Sequence, residues 1–156
     1  MIKVLTVGKL KEKELENLIE DYQHRIEPYH KIVLESVKDL PSSDDDSLNQ
    51  LVIERESQSL LDKLKPEDFV YLLDLRGQLI SSESLAESIQ TAFNQSKKTL
   101  VFIIGGSLGV SETLRQRANK VWKLSANTFP HGLVRLLVLE QIYRSFRILN
   151  HHPYHK

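Results

Sequence analysis

At 156 residues, 40% hydrophobic, 27% charged and with no net charge, the chain has the length and composition of one globular domain. It holds no cysteine, which excludes a disulfide framework and any thiolate metal site. The apolar run in the opening MIKVLTVGKLKEK is too short for a signal peptide, and no stretch reaches membrane-spanning length, so a soluble, cytoplasmic protein is expected.

IKVLTV, residues 2–7, is β-rich and stops at Gly8. Leu15, Leu18, Ile19, Tyr22 and Ile26 then recur at the spacing of one helix face. KIVLESV (31–37) predicts a second strand, and the loop DLPSSDDD leads to a less cleanly patterned helix over about 47–64. The three aspartates suit a helix N-terminus, where the macrodipole favours acids; a calcium loop needs spaced ligands and a glycine. FVYLLDL (69–75) is a near-continuous apolar run, as in strands covered on both faces.

A turn is expected at Arg76–Gly77, then a helix opened by a capping box of Ser84 and Glu87 and carrying Leu85, Ile89, Ala92 and Phe93. TLVFII (99–104) runs into GGSLG, and Ser111 caps a short helix to about 119. VWKLS (121–125) makes a fifth strand, and ANTFPHG leads to a last helix over roughly 131–149. Strands alternating with helices make a single α/β domain, a mostly parallel sheet with helices on both faces.

The charge is segregated. Residues 1–80 carry 11 Lys and Arg against 17 Asp and Glu, and residues 81–156 carry 10 against 4, so a balance of −6 meets one of +6. This fits a basic face for an anionic partner, or two halves that pair their charges across the fold. Ligands of open parallel sheets bind beyond the carboxyl ends of strands, which singles out Leu73-Asp74, Gly105-Gly106 and Leu124–Phe129. GGSLG is neither G-x-G-x-x-G nor a P-loop, so alone it reads as a tight turn before a helix. Its paired glycines still let a ligand approach the backbone.

Eleven of the 17 residues from 133 to 149 are apolar and lie nearly all round the last helix. Such a helix needs cover on two sides; the sheet supplies one, and a second subunit in a two-fold dimer is expected to supply the other. Arg135 shares a face with Val138, Leu139, Ile142, Phe146 and Leu149. Its permanent charge must emerge at a ligand pocket or find an ion-pair partner across the dimer, such as Glu140, and the sequence leaves both open. The tail RSFRILNHHPYHK (144–156) sets His151, His152, Tyr154 and His155 beside two arginines and a lysine. Although His-x-x-x-His is a zinc spacing, Pro153 breaks any helix that would present the pair, and no metal is expected. Contact with phosphates and stacking on bases suits the tail better.

IGGS, LSANTFPHGLVRLLVLEQIYRSF and the closing HPYHK together resemble the ribosomal RNA large subunit methyltransferase H family, small trefoil-knot (SPOUT) methyltransferases. The likeness spans the chain, VGKLKEK included. It implies a C-terminal trefoil knot, a homodimer, and methyl transfer from S-adenosylmethionine to N3 of a pseudouridine in 23S rRNA of the assembled ribosome, with no part for DNA or a membrane. It implies a cofactor site at Leu73, Gly105, Leu124, Ser125, Ala126, Asn127, Thr128 and Phe129, which are the strand ends already singled out. Within that reading, His155 is the candidate base for the N3 proton, Tyr154 positions or stacks on the target, and Arg135 stabilises developing negative charge. One subunit's tail would complete the other's pocket. The rivals are a non-catalytic RNA-binding module, a nucleotide-dependent enzyme built on GGSLG, and a SPOUT methyltransferase with another RNA target.

Overall fold

A computed structural model of the chain describes residues 1–95 and 99–156. Lys97 and Lys98, counted above in the basic half, lie outside them. The strands are β1 (Ile2–Val7), β2 (Ile32–Val37), β3 (Phe69–Leu79), β4 (Leu100–Ile104) and β5 (Lys120–Lys123). They alternate with α1 (Lys13–Ile26), α2 (Asp46–Leu61), α3 (Ser82–Asn94), α4 (Glu112–Arg117) and α5 (His131–Leu149).

All strand pairs are parallel, in the order β2-β1-β4-β3-β5. Ile2 lies opposite both Ile32 and Leu100, and Leu100 opposite Phe69, so the strands start level and their carboxyl ends reach one edge together. Side chains alternate between the two faces of the sheet. Ile2, Val4, Tyr71, Phe102 and Trp122 meet residues of α1, α3 and α5, while Leu5, Val7, Leu72 and Ile103 meet Leu60 of α2 and Leu114 of α4. Helices on both faces are thus as the alternating pattern predicts. Among the described residues, no helix is long and apolar enough to cross a membrane.

The aspartate cluster opens α2 as expected: the Asp45 side chain accepts from the backbone N–H groups of Ser47 and Leu48. Ser111 likewise caps α4 by accepting from Leu114 N. Three local expectations are corrected. Leu18 is 47% exposed, because α1 rotates Ile19 and Ile26 toward the sheet and leaves Leu18 outside that arc. The cap of α3 is Ser81, which accepts from Ser84 N, so the helix begins one turn before the Ser84–Glu87 box. No turn forms at Arg76–Gly77; β3 runs on to Leu79, with a register shift against β5 between Leu73 and Gln78. Glycine permits this, since a Cβ on residue 77 would lie 2.5 Å from Val121 O. A Gly read as a turn signal is here a close approach of two backbones.

α5 packs between α1 and α3, with Val138, Leu139, Ile142 and Phe146 buried on the sheet. Leu133, Leu137, Ile148 and Leu149, on its other sides, stay half-buried. Of the ion pairs among the described residues, only Arg115–Asp74 joins the acidic half to the basic one. The two halves therefore do not cancel by pairing.

Candidate active site

The carboxyl ends of β3, β4 and β5 surround a cavity of about 350 Å³. That lies in the range of small-molecule sites, roughly 300–1,000 Å³. β4 delivers Ile104 and Gly105, and the chain then turns sharply, with Gly109 N donating to Gly106 O at 3.1 Å and Gly109 at φ +95°. An L side chain rarely adopts that φ, so glycine holds the turn. A Cβ on Gly105 would strike Val110 Cγ1, itself part of the wall. β5 leads into the loop 124–130, where Asn127 N donates to Ser125 Oγ at 3.0 Å, and Pro130 sets the start of α5.

Three charged residues line the cavity: Asp74, Arg76 and Arg115. Asp74, at the end of the apolar part of β3, accepts from Arg115 Nε at 2.8 Å and from the backbone N–H of Arg76 at 2.7 Å. Its side chain is 9% exposed and that of Arg115 16%, so the pair is largely withdrawn from water. His131, the first residue of α5, completes the mouth. Loss of hydration, reinforced by the Arg135 cation, lowers its pKa, so its imidazole is neutral near pH 7.

Of the residues expected at the cofactor, Leu73, Gly105, Leu124, Ser125, Asn127, Thr128 and Phe129 line the cavity, and Ala126 does not. The expected catalytic residues stand elsewhere in the single chain. Arg135 donates through one guanidinium nitrogen to Val7 O (2.8 Å) and Gly8 O (2.9 Å), carbonyls at the end of β1. It borders a second cavity of about 220 Å³, together with Leu10, Glu16 and Leu139. Within the chain, Glu140 pairs not with Arg135 but with Arg144, one helical turn away. The strand-end carbonyls supply the partner that a buried guanidinium requires.

Tyr154 and His155 dock along the C-terminal half of α5, from Glu140 onward. His151 takes φ +54° and His152 N donates to Arg147 O, which folds the tail back along the helix. The Tyr154 hydroxyl donates to Glu140 Oε1 at 3.2 Å, and its ring meets Tyr143 edge-on at 5.0 Å with the Arg144 guanidinium over it at 4.9 Å. Burial, Tyr22 and Glu140 together push the Tyr154 phenol well above its ordinary pKa, so it stays protonated. His155 Nε2 lies 2.7 Å from Glu83 Oε1 and its Nδ1 3.2 Å from Arg144.

Arg115, Trp122 and His131 also line the cavity; His131 stands inside the run LSANTFPHG, whereas Arg115 and Trp122 carry no motif of their own. Only proximity to the strand ends could have flagged them, and Arg115 reaches the site through α4, a helix the strand-end rule does not consider.

The family described as "Predicted SPOUT methyltransferase" matches residues 1–155. The chain belongs to that family. A ribosomal RNA large subunit methyltransferase H of Desulforamulus reducens is 45% identical over 157 aligned residues, 99% of this chain and 98% of that protein. One from Clostridium botulinum is 41% identical, covering 99% of each. A probable methylase family protein of Haemophilus influenzae shares the fold, with a TM-score of 0.58 at 14% identity over 99% of this chain and 70% of that one.

SPOUT methyltransferases use S-adenosylmethionine, and the cavity fits it. Leu73, Ile104, Val110, Leu124 and Phe129 give apolar walls for a nucleobase. The glycine-bearing turn, which a Cβ at position 105 would crowd, lets backbone groups approach it.

Proposed function

We propose that this SPOUT methyltransferase acts as a cytoplasmic homodimer and methylates N3 of a pseudouridine in 23S rRNA, on the assembled ribosome. The observation that carries the reading is the separation of cavity and tail. α5 starts at the cavity, and the tail folds back to Glu140 and Arg144, about 14 and 20 Å along the helix at the rise of an α-helix. In this chain Tyr154 and His155 are held there by Glu140, Arg144 and Glu83, and neither lines its own cavity. A two-fold partner packed on the half-buried leucines of α5 would carry its tail to this cavity and receive this tail in exchange. The name the relatives carry, ribosomal RNA large subunit methyltransferase H, supports the substrate class, and the knotted threading belongs to the same proposal.

When bound, the cofactor supplies an electrophilic methyl group on sulfur. The chain's part is alignment of N3 with that methyl and removal of the N3 proton. Leu73, Gly105 and the run Leu124–Phe129, with Ala126 shaping the run from outside the cavity wall, hold the donor. The partner's tail brings a basic and an aromatic group to the open side: His155 takes the N3 proton on a ring nitrogen, and Tyr154, protonated, stacks on or hydrogen-bonds the target. Arg135 stays fastened to β1 and adds positive charge one turn from His131, favouring the developing anion.

The test is transfer of labelled methyl from S-adenosylmethionine to assembled ribosomes, free large subunits and naked rRNA, all lacking the modification. The expected result is label at N3 of a pseudouridine in 23S rRNA, mainly on assembled ribosomes. Label on another nucleotide would keep the chemistry and discard the target. Cofactor binding without transfer to any of the three would discard the substrate.

A further inference from the structure

Glu56 has no part in that mechanism, yet it is 5% exposed on α2, directly behind the cavity turn. Its Oε1 accepts from Leu40 N at 2.9 Å, in the loop after β2. Its Oε2 occupies the space that a Cβ on Gly106 would need. The next residue, Ser57, is 1% exposed and accepts from Ser111 N at 2.8 Å, just beyond the same turn. Two consecutive polar side chains of α2 thus press on both ends of the segment 105–111. A carboxyl group taken from water without full compensation is costly. Burial raises the pKa of Glu56, and the nearby Asp39 carboxylate adds to this against the opposing Leu40 N–H. A group held at such cost, at the back of a ligand-binding turn, needs an explanation that core packing does not supply.

We propose that Glu56 is a positioning residue for cofactor binding: wedged between Leu40 and Gly106, its carboxyl group sets the height of the Gly105–Gly109 turn, and so the placement of the backbone that meets the cofactor. The proposal rests on the cofactor site described above. A side chain at position 106 would have to displace the carboxyl group, which fills the Cβ space. It also accounts for the poor apolar patterning of α2, whose buried residues Glu56 and Ser57 face a loop instead of a hydrophobic layer. The action is through shape and one accepted hydrogen bond, both of which glutamine reproduces.

The experiment is calorimetric titration of the full-length protein with S-adenosylhomocysteine, alongside steady-state methyl transfer and thermal unfolding. Glu56→Ala should weaken binding about tenfold, the size expected for one lost hydrogen bond and a loosened support. KM for the cofactor should rise in step while kcat at saturation holds. Glu56→Gln should stay within about twofold of the parent, since it keeps the acceptor and the volume. Gly106→Ala should weaken binding in the parent but add nothing in the Glu56→Ala background, where the added methyl finds room.

Unchanged affinity in Glu56→Ala, a fall in kcat without a rise in KM, or Glu56→Gln as weak as Glu56→Ala would each overturn the proposal while the cofactor site stands. A parent protein that fails to bind S-adenosylhomocysteine would remove the cofactor site and this proposal with it. If Glu56→Ala does not fold, the glutamine variant and Gly106→Ala decide the matter: normal binding by Gly106→Ala overturns it.

Discussion

The two ends of α5 solve different problems with different chemistry. At its N-terminal end the cavity is walled largely by apolar side chains and glycine-bearing backbone, and two of its three charges, Asp74 and Arg115, pair with each other. At its C-terminal end Tyr154, His155, Arg144 and Glu140 form a cluster of side chains that touch mainly one another. An end that binds through shape depends on the fold around it. An end that acts through side chains depends on a handful of atoms and little on the fold. The two should therefore respond in opposite ways to mutation, and three changes measure how far that contrast holds.

Deletion of residues 151–156 should have the largest effect. Methyl transfer should fall by at least about a hundredfold, the lower range for losing a general base and a positioning group together. Affinity for S-adenosylhomocysteine should stay within about twofold, because no tail residue lines the cavity of its own chain. A truncated protein that retains full activity would remove the tail from the reaction. One that loses cofactor affinity as well would show that the two ends are coupled, and the contrast would fail.

How legible each end was in the sequence follows from the same difference. The cavity end obeyed a topological rule: once five strands were recognised by their apolar runs, Leu73, Gly105 and the segment after β5 followed as strand ends. Ala126 is missing from the wall because a contiguous run of residues in a loop does not point all its side chains one way. Arg76–Gly77 failed as a turn because glycine serves both tight turns and close backbone contacts, and one sequence cannot say which. The tail was conspicuous by composition, but its docking on α1, α3 and α5 was not readable, since it depends on which residues of distant elements meet. Arg135 shows the same gap. Its place on an apolar helix face said that it needed a partner, and only the fold could say that the partner was a pair of β1 carbonyls. Glu56 left no trace at all, being one more charged residue in a helix with weak patterning.

Arg135→Ala should come next in size, and beside the loss of its charge near the reaction it should cost stability. Two carbonyls lose a charged donor, and hydrogen bonds to charged groups contribute about 1.5–3 kcal/mol. Stability should drop by about 2 kcal/mol, visible as a Tm lowered by about 4–8 °C in a chain of this length. Arg135→Lys should recover only part of this, because its ammonium ends one atom short of the guanidinium nitrogen that donates to both carbonyls. Tail deletion should leave Tm nearly where it was. Were Arg135→Ala to lose kcat with Tm unmoved, Arg135 would belong with the tail as a chemical residue, and the boundary between the two ends would need redrawing.

The smallest effect should come from Glu83→Gln, which probes how the tail is held before it meets a partner. The Glu83 carboxyl is kept below its ordinary pKa, first by its own backbone N–H and then by His155. A lowered carboxylate pKa means that the contact is fully present above the unfolded value and is lost as pH falls through the folded one. Hydrogen-exchange protection factors for residues 151–155 should therefore decline as the solution is taken from neutrality to below the usual carboxylate range. Glu83→Gln should remove most of that pH dependence while leaving cofactor affinity untouched, since Glu83 is exposed and outside the cavity. In the variant the tail should also exchange faster at neutral pH, because an amide replaces the carboxylate that His155 contacts. Identical protection profiles for the two proteins would mean that the contacts of Tyr154 with Glu140 and Arg144, and of His152 with Arg147 and Tyr29, anchor the tail without Glu83. The tail's release would then turn on the Tyr154 and His152 contacts, and exchange between partners would be governed by them instead of by Glu83.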